Sequence, residues 1–175
     1  MLPKLVITDV DGVLTDGGMY YDQEDNEWKK FNTSDSLGVL LCSVLKIEIA
    51  FITGENTKIV ERRAKKLKIK HLIQGSRNKL IDAEKLCKKL KIKFNDVAYI
   101  GDDLIDLSLL SKVGFSAAPK NAPGYIKDKV DFVTSKNGGD GAFREFIEEI
   151  LRRNGKLESS IQKILLREYS LKDKE

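Results

Sequence analysis

The stretch Val6-Ile7-Thr8-Asp9-Val10-Asp11-Gly12-Val13-Leu14-Thr15 constrains this chain more than any other. An apolar, β-prone run ends on two carboxylates separated by one small apolar residue, and a Gly and a Thr follow. In an extended segment alternate side chains share a face, so Asp9 and Asp11 are expected to point the same way. Two such charges at close range call for a cation between them or a retained proton. A carboxylate pair at a strand's C-terminal end, just before a glycine turn, suits the active-site edge of an open α/β sheet. An Asp-Gly pair also makes an ordinary acidic turn, so the rest of the chain must decide.

Further apolar runs end in similar chemistry. Ile47 to Ile52 runs into Thr53-Gly54, and Val97 to Ile100 into Gly101-Asp102-Asp103, with Asp106 close behind. Between them, amphipathic patterns predict helices over 56–67 and 78–90, the second opening on Lys79 after Gln74-Gly75. Short strands are expected at 70–73, 115–117 and 131–133, and helices at 106–113, 122–126 and 141–151. Ser34-Asp35 offers an N-cap for a helix through Leu45. Strands alternating with helices predict a parallel sheet covered on both faces. Met19-Tyr20-Tyr21 and Glu27-Trp28-Lys29-Lys30-Phe31, around a polar loop, read as a small β-hairpin inserted at about 17–31. The expected organisation is one domain over 1–154 and a charged tail over 155–175. That tail is expected to be frayed or a surface helix through Ile161, Ile164 and Leu165.

Composition excludes several classes. The 175 residues carry a net charge of +4 spread over interleaved Lys and Glu, without the dense basic stripe of a nucleic-acid binder. Cys42 and Cys87 are too few for a disulfide framework or a zinc site, which points to a reducing, cytoplasmic setting. No apolar run reaches membrane-span length, and Met1 leads directly into the first strand, so neither an anchor nor a leader is expected. His71, in a short strand without a partner motif, reads as a surface or satisfied histidine.

Taken in order, Asp9-Val10-Asp11-Gly12-Val13-Leu14-Thr15, Thr53-Gly54, Lys79 and Gly101-Asp102-Asp103-Leu104-Ile105-Asp106 resemble the four motifs of the haloacid dehalogenase superfamily of phosphohydrolases. The resemblance implies a Rossmann-like α/β fold and an aspartyl-phosphate mechanism. Asp9 corresponds to the nucleophile, Asp11 to the general acid/base and Lys79 to the lysine that neutralises phosphate and nucleophile. Thr53 and Gly54 correspond to the binders of phosphoryl oxygens. Mg²⁺ would be held by the Asp9 and Asp102 side chains and the Asp11 carbonyl, with Asp103 and Asp106 in support.

With a hairpin for its only insertion, and with Gly138-Gly139-Asp140-Gly141-Ala142-Phe143-Arg144-Glu145 near its end, the chain is similar to the capless phosphatases of 2-keto-3-deoxy sugar acid phosphates. Two substrates are in view: 3-deoxy-D-manno-octulosonate 8-phosphate (KDO 8-phosphate) and 2-keto-3-deoxynononate 9-phosphate (KDN 9-phosphate). The KDO 8-phosphate enzymes tend to carry an arginine after the second-motif glycine, where this chain has Glu55. Thr33, within Asn32-Thr33-Ser34-Asp35-Ser36, together with Glu55, Arg63 and Lys66, looks like the KDN 9-phosphate pattern, which is therefore favoured. In that pattern Glu55, Arg63 and Lys66 reach the sugar acid from an adjacent subunit. Members of this group are similar in forming homotetramers whose hairpins build a shared barrel, so that a neighbouring subunit caps each active site, which implies interface roles for Met19, Tyr20, Tyr21, Trp28 and Phe31. The competing reading is a non-catalytic oligomerisation or regulatory module, related to that attached to sialic-acid cytidylyltransferases. Phosphoryl transfer to another acceptor is disfavoured, because no cap excludes water.

Overall fold

The computed structural model describes the backbone of residues 2–172 and the side chains of residues 2–166. Its frame is a six-stranded sheet in which every neighbouring pair is parallel: β1 (Leu5–Thr8), β4 (Glu48–Ile52), β5 (His71–Ile73), β6 (Val97–Ile100), β7 (Phe115–Ala118) and β8 (Phe132–Val133), in spatial order β5-β4-β1-β6-β7-β8. The chain leaves β1 to build β4 and β5 on one side, then crosses back to β6 on the other. The strand order thus reverses beside β1, the place where open α/β sheets bind ligands at their C-terminal edge.

Alternation along the strands divides the core. Val6, Ile49, Phe51, Ala98 and Ile100 face α1 (Asp35–Val44), α2 (Lys58–Lys66), α6 (Ala142–Arg153) and α7 (Leu157–Lys172). Leu5, Ile7, Ala50, Ile52, Val97 and Tyr99 face α3 (Lys79–Leu90), α4 (Leu107–Leu110) and α5 (Gly124–Lys127). The two-sided apolar runs are what a sheet buried on both faces requires.

Several local expectations change. The hairpin is shorter than its alternation suggests: only β2 (Tyr20–Tyr21) and β3 (Glu27–Trp28) pair, and Phe31 instead bridges Thr15. Phe31 packs on its own core under the Arg63 guanidinium, so it does not share the exposed face of Met19, Tyr20, Tyr21 and Trp28. Ser34 has helical dihedrals and its side chain caps nothing; the neighbouring Asp35 turns inward and accepts the Arg144 N–H. The helix expected over 106–113 is a 3-10 turn, Leu104–Asp106, followed by the short α4. The helix expected at 122–126 begins two residues later, after Pro123, whose fixed φ suits a helix entry.

The segment after Asn154 is helical. α7 packs on α1 and α6 through Ile164 and the fully buried Ser160, whereas Ile161 and Leu165 are exposed. The end of the tail, beyond Lys172, lies outside the described residues. Among the described residues, no helix is long and apolar enough to cross a membrane.

Candidate active site

Asp9 follows the last residue of β1, and its N–H still bonds the Ile100 carbonyl of β6, so the carboxylate is fixed by the sheet itself. The strand does not continue to Asp11. From Val10 the chain curls: the Val10 carbonyl accepts the N–H groups of Val13, Leu14 and Thr15. Gly12, at φ +83°, makes this turn possible; a Cβ there would lie 2.0 Å from an Asp102 carboxylate oxygen. Asp9 and Asp11 therefore share a cavity by way of a turn rather than by strand alternation.

That cavity, about 280 Å³, is lined by Asp9, Asp11, Thr53, Gly54, Glu55, Lys79, Asp102 and Asp103 among others. Three strand ends thus supply its chemistry. Lys79, the first residue of α3, is 2% exposed and places Nζ 2.9 Å from Asp9 Oδ1 and 2.6 Å from Asp106 Oδ1. Asp106 is saturated. Its Oδ1 also accepts the buried Tyr99 hydroxyl at 2.5 Å, and its Oδ2 accepts the N–H groups of Asp102 and Asp103 at 2.9 and 3.0 Å. The carboxylate oxygens of Asp9, Asp102 and Asp106 lie within 4.8 Å of one another. With its oxygens already engaged, Asp106 is suited to hold Lys79 and the Asp102 backbone rather than an ion.

Electrostatics set the other two acids apart. Burial pushes the Asp9 carboxyl up to about 7 against the opposing pull of Lys79. Burial, then repulsion from Asp9 and Asp106, pushes Asp102 up to about 8. Asp102 Oδ1 is buried with no hydrogen-bond partner. Two oxygen ligands destabilised as anions, one of them carrying an orphaned oxygen, fit a hard divalent cation such as Mg²⁺.

Asp11 is held differently. Its Oδ1 accepts the Thr15 hydroxyl at 3.1 Å and Lys29 Nζ at 2.8 Å, while its buried Oδ2 has no partner. Lys29 also bonds Glu55 at 2.6 Å. Thr15 belongs to the motif read from the sequence, but no motif included Lys29 or Tyr99 in the site. The alternation of Glu27, Lys29 and Phe31 against Trp28 and Lys30 was the one available hint that Lys29 turns inward.

The expected sugar-acid group divides. Glu55 lines this chain's own cavity and is tied to Asp11 through Lys29, where the resemblance had it serving a neighbouring subunit. Arg63 donates to the Asn32 carbonyl at 2.8 Å, Lys66 is exposed on the far part of α2, and Thr33 is exposed; none of the three lines the cavity. His71 sits 3.1 Å from Glu48 in the expected satisfied role.

A loop from far along the sequence supports the turn that follows Asp9. The Gly139 N–H bonds the Val13 carbonyl at 3.0 Å, and a Cβ on Gly138 would lie 1.8 Å from the Gly12 carbonyl oxygen, so only glycine fits. Asn32 donates to the Gly139 carbonyl at 3.2 Å, joining this loop to the base of the hairpin.

Comparison with known proteins shows the family to which the chain belongs. Residues 44–146 match the family model of haloacid dehalogenase-like hydrolases. The 3-deoxy-D-manno-octulosonate 8-phosphate phosphatase of Escherichia coli K12 is 44% identical over 157 residues, which cover 90% of this chain and 84% of that protein. The same enzyme from Moraxella catarrhalis, crystallised with magnesium, phosphate and KDO, superposes with a TM-score of 0.89 at 40% identity, covering 93% of each chain. The cobalt-bound Haemophilus influenzae phosphatase gives 0.84 at 41% identity, covering 89% of this chain and 91% of that one.

Proposed function

Because the chain belongs to the haloacid dehalogenase-like hydrolases, we propose that it is a Mg²⁺-dependent phosphatase of 2-keto-3-deoxy sugar acid phosphates. The observation that carries this reading is Lys79 clamped between Asp9 and Asp106 beside the unpartnered oxygen of Asp102. An Asp9 oxygen attacks phosphorus, the phosphorus–ester oxygen bond breaks, and Asp11 gives its proton to the departing alkoxide. Asp11 then takes a proton from water as that water attacks the aspartyl phosphate. This regenerates the Asp9 carboxylate and releases inorganic phosphate. Lys79 holds Asp9 in line and offsets its charge, and the Thr53 hydroxyl and Gly54 N–H receive phosphoryl oxygens. Mg²⁺, held by Asp9, Asp102 and the Asp11 carbonyl with Asp103 and Asp106 in support, would supply charge neutralisation at the transferring group.

Within the substrate class, the named relatives favour KDO 8-phosphate. KDN 9-phosphate keeps one supporting observation: Glu55 follows Gly54 and lines the cavity, where it can accept from sugar hydroxyls. The exposed Met19, Tyr20, Tyr21 and Trp28 support a homotetramer in which hairpins cover neighbouring sites, and two buried, unpaired cysteines support a cytoplasmic setting.

Phosphate release from KDO 8-phosphate and KDN 9-phosphate, with Mg²⁺ or with EDTA, tests the reading, alongside sedimentation for the assembly. Hydrolysis of either ester that stops with EDTA is expected, and the ratio of kcat/KM values ranks the two. A folded, metal-loaded protein inactive on both would point instead to the non-catalytic module.

A further inference from the structure

Lys29 is the most enclosed charged side chain of the hairpin. Only 4% of it is exposed, although Trp28 and Lys30 on either side stand in solvent. Its ammonium lies 2.8 Å from Asp11, 2.6 Å from Glu55 and 3.6 Å from Glu27, so three carboxylates surround one cation. Withdrawing an ammonium from water is costly unless such partners compensate. The three carboxylates supply that compensation, so the ammonium and the acids hold one another in place.

The geometry at Asp11 gives the enclosure a purpose. Both donors, Thr15 and Lys29, meet Oδ1, and Oδ2 is left buried and unpartnered. A carboxyl group pinned through one oxygen is held in a single orientation, which is the requirement on a group that passes a proton to a leaving oxygen. The clamp serves both protonation states, because the carbonyl oxygen of a protonated carboxyl group still accepts hydrogen bonds.

We propose that Lys29 is a positioning residue of the reaction: through its bond to Oδ1 it fixes the orientation of the Asp11 carboxyl group that protonates the leaving group. Glu55 anchors the ammonium from the opposite side, and the hairpin thereby reaches the reacting centre. The inference rests on the phosphatase reading. The step it concerns is the transfer of the Asp11 carboxyl proton to the ester oxygen as the phosphorus–oxygen bond breaks and the bond to Asp9 forms.

The test compares kcat/KM for K29M, K29R and the wild type on two esters, with Mg²⁺ present. p-Nitrophenyl phosphate has a leaving group that departs without a proton; KDO 8-phosphate releases an alkoxide that needs one. Because kcat/KM covers steps only through departure of the leaving group, the later water step drops out. K29M is expected to lose about 100-fold on KDO 8-phosphate and less than about 5-fold on the aryl ester. K29R, which keeps a charged donor, is expected to recover part of the selective loss. Equal losses on both esters, or none on either, would overturn the role of Lys29 while leaving the phosphatase reading intact. A wild type inactive on both esters and on KDN 9-phosphate would remove the reading itself; if only KDN 9-phosphate is turned over, it replaces KDO 8-phosphate in the comparison. If K29M does not fold, as judged by thermal unfolding, K29R decides: an arginine fork cannot reproduce the ammonium geometry, so a smaller loss confined to KDO 8-phosphate is still required.

Discussion

Lys79 Nζ and Asp106 Oδ1 meet at 2.6 Å with both side chains withdrawn from solvent, and Tyr99 donates to the same oxygen. The pair is more than a support for Asp9. It fastens the start of α3 to the turn after β6, out of reach of solvent.

Removing one member of a buried ion pair leaves the other charged and unpaired. K79M is therefore expected to lose about 3–5 kcal/mol of stability along with activity. Y99F, which deletes one neutral donor from a saturated carboxylate, is expected to lose about 1 kcal/mol. Urea unfolding of both variants checks the order; equal losses would show that Lys79 contributes no more than an ordinary hydrogen bond.

Asp9 is expected to be irreplaceable for chemistry and dispensable for folding. D9N should lose on the order of 10⁴-fold or more in kcat. Because burial already disfavours the Asp9 anion, a neutral amide of the same shape should leave the melting temperature within a few degrees. Turnover by D9N above the level of contaminating phosphatase would exclude Asp9 as the nucleophile.

The cation should appear as a ligand-linked gain in stability. At about 100 times its Kd, Mg²⁺ is expected to add about 2.7 kcal/mol to the wild type. In D102N that gain should vanish. Without metal, D102N should melt no lower than the wild type, since the substitution removes an anion that burial and Asp9 disfavour. Calorimetric scans with Mg²⁺ and with EDTA measure both; an undiminished Mg²⁺ response in D102N would place the ion elsewhere.

Asp35 gives a pH dependence away from the reacting groups. Burial raises its carboxyl from 3.8 to about 6, so the folded protein holds this proton more tightly than the unfolded chain. The associated stability is complete below about pH 4 and is lost as pH rises through 6. D35N keeps an oxygen for the Arg144 N–H and carries no charge. It should be more stable than the wild type at pH 8, by on the order of 2 kcal/mol, and equal to it at pH 4. Unfolding free energies at the two pH values decide, and a constant difference would separate the effect from ionisation.

The strands β1, β4 and β6 were legible because a sheet covered on both faces needs unbroken apolar runs, and the polar residues ending those runs marked the site. Lys79 was legible only through its order among the motifs, since one lysine among many carries no local sign of burial. Lys29 and Tyr99 were hidden for a related reason. Their partners, Asp11 and Asp106, come from other elements, and only the folded chain brings them within bonding distance. The shared direction of Asp9 and Asp11 was anticipated through strand alternation, but the chain achieves it with a turn around the Val10 carbonyl. A surface helix was one of the two expectations for the tail; of its named apolar residues only Ile164 turns inward, and with Ser160 it seats α7.

The buttress at Gly138 and Gly139 ties the order of synthesis to the onset of activity. A nascent chain that ends before this loop already carries Asp9, Lys79 and Asp102, yet the turn that presents Asp11 has nothing behind it. Hydrolysis would then begin only once the far end of the polypeptide has emerged from the ribosome. A premature stop just upstream of the loop would also remove α6, with its buried Phe143, Phe146 and Ile147, and so silence the protein through core and turn together, without touching a single reacting group.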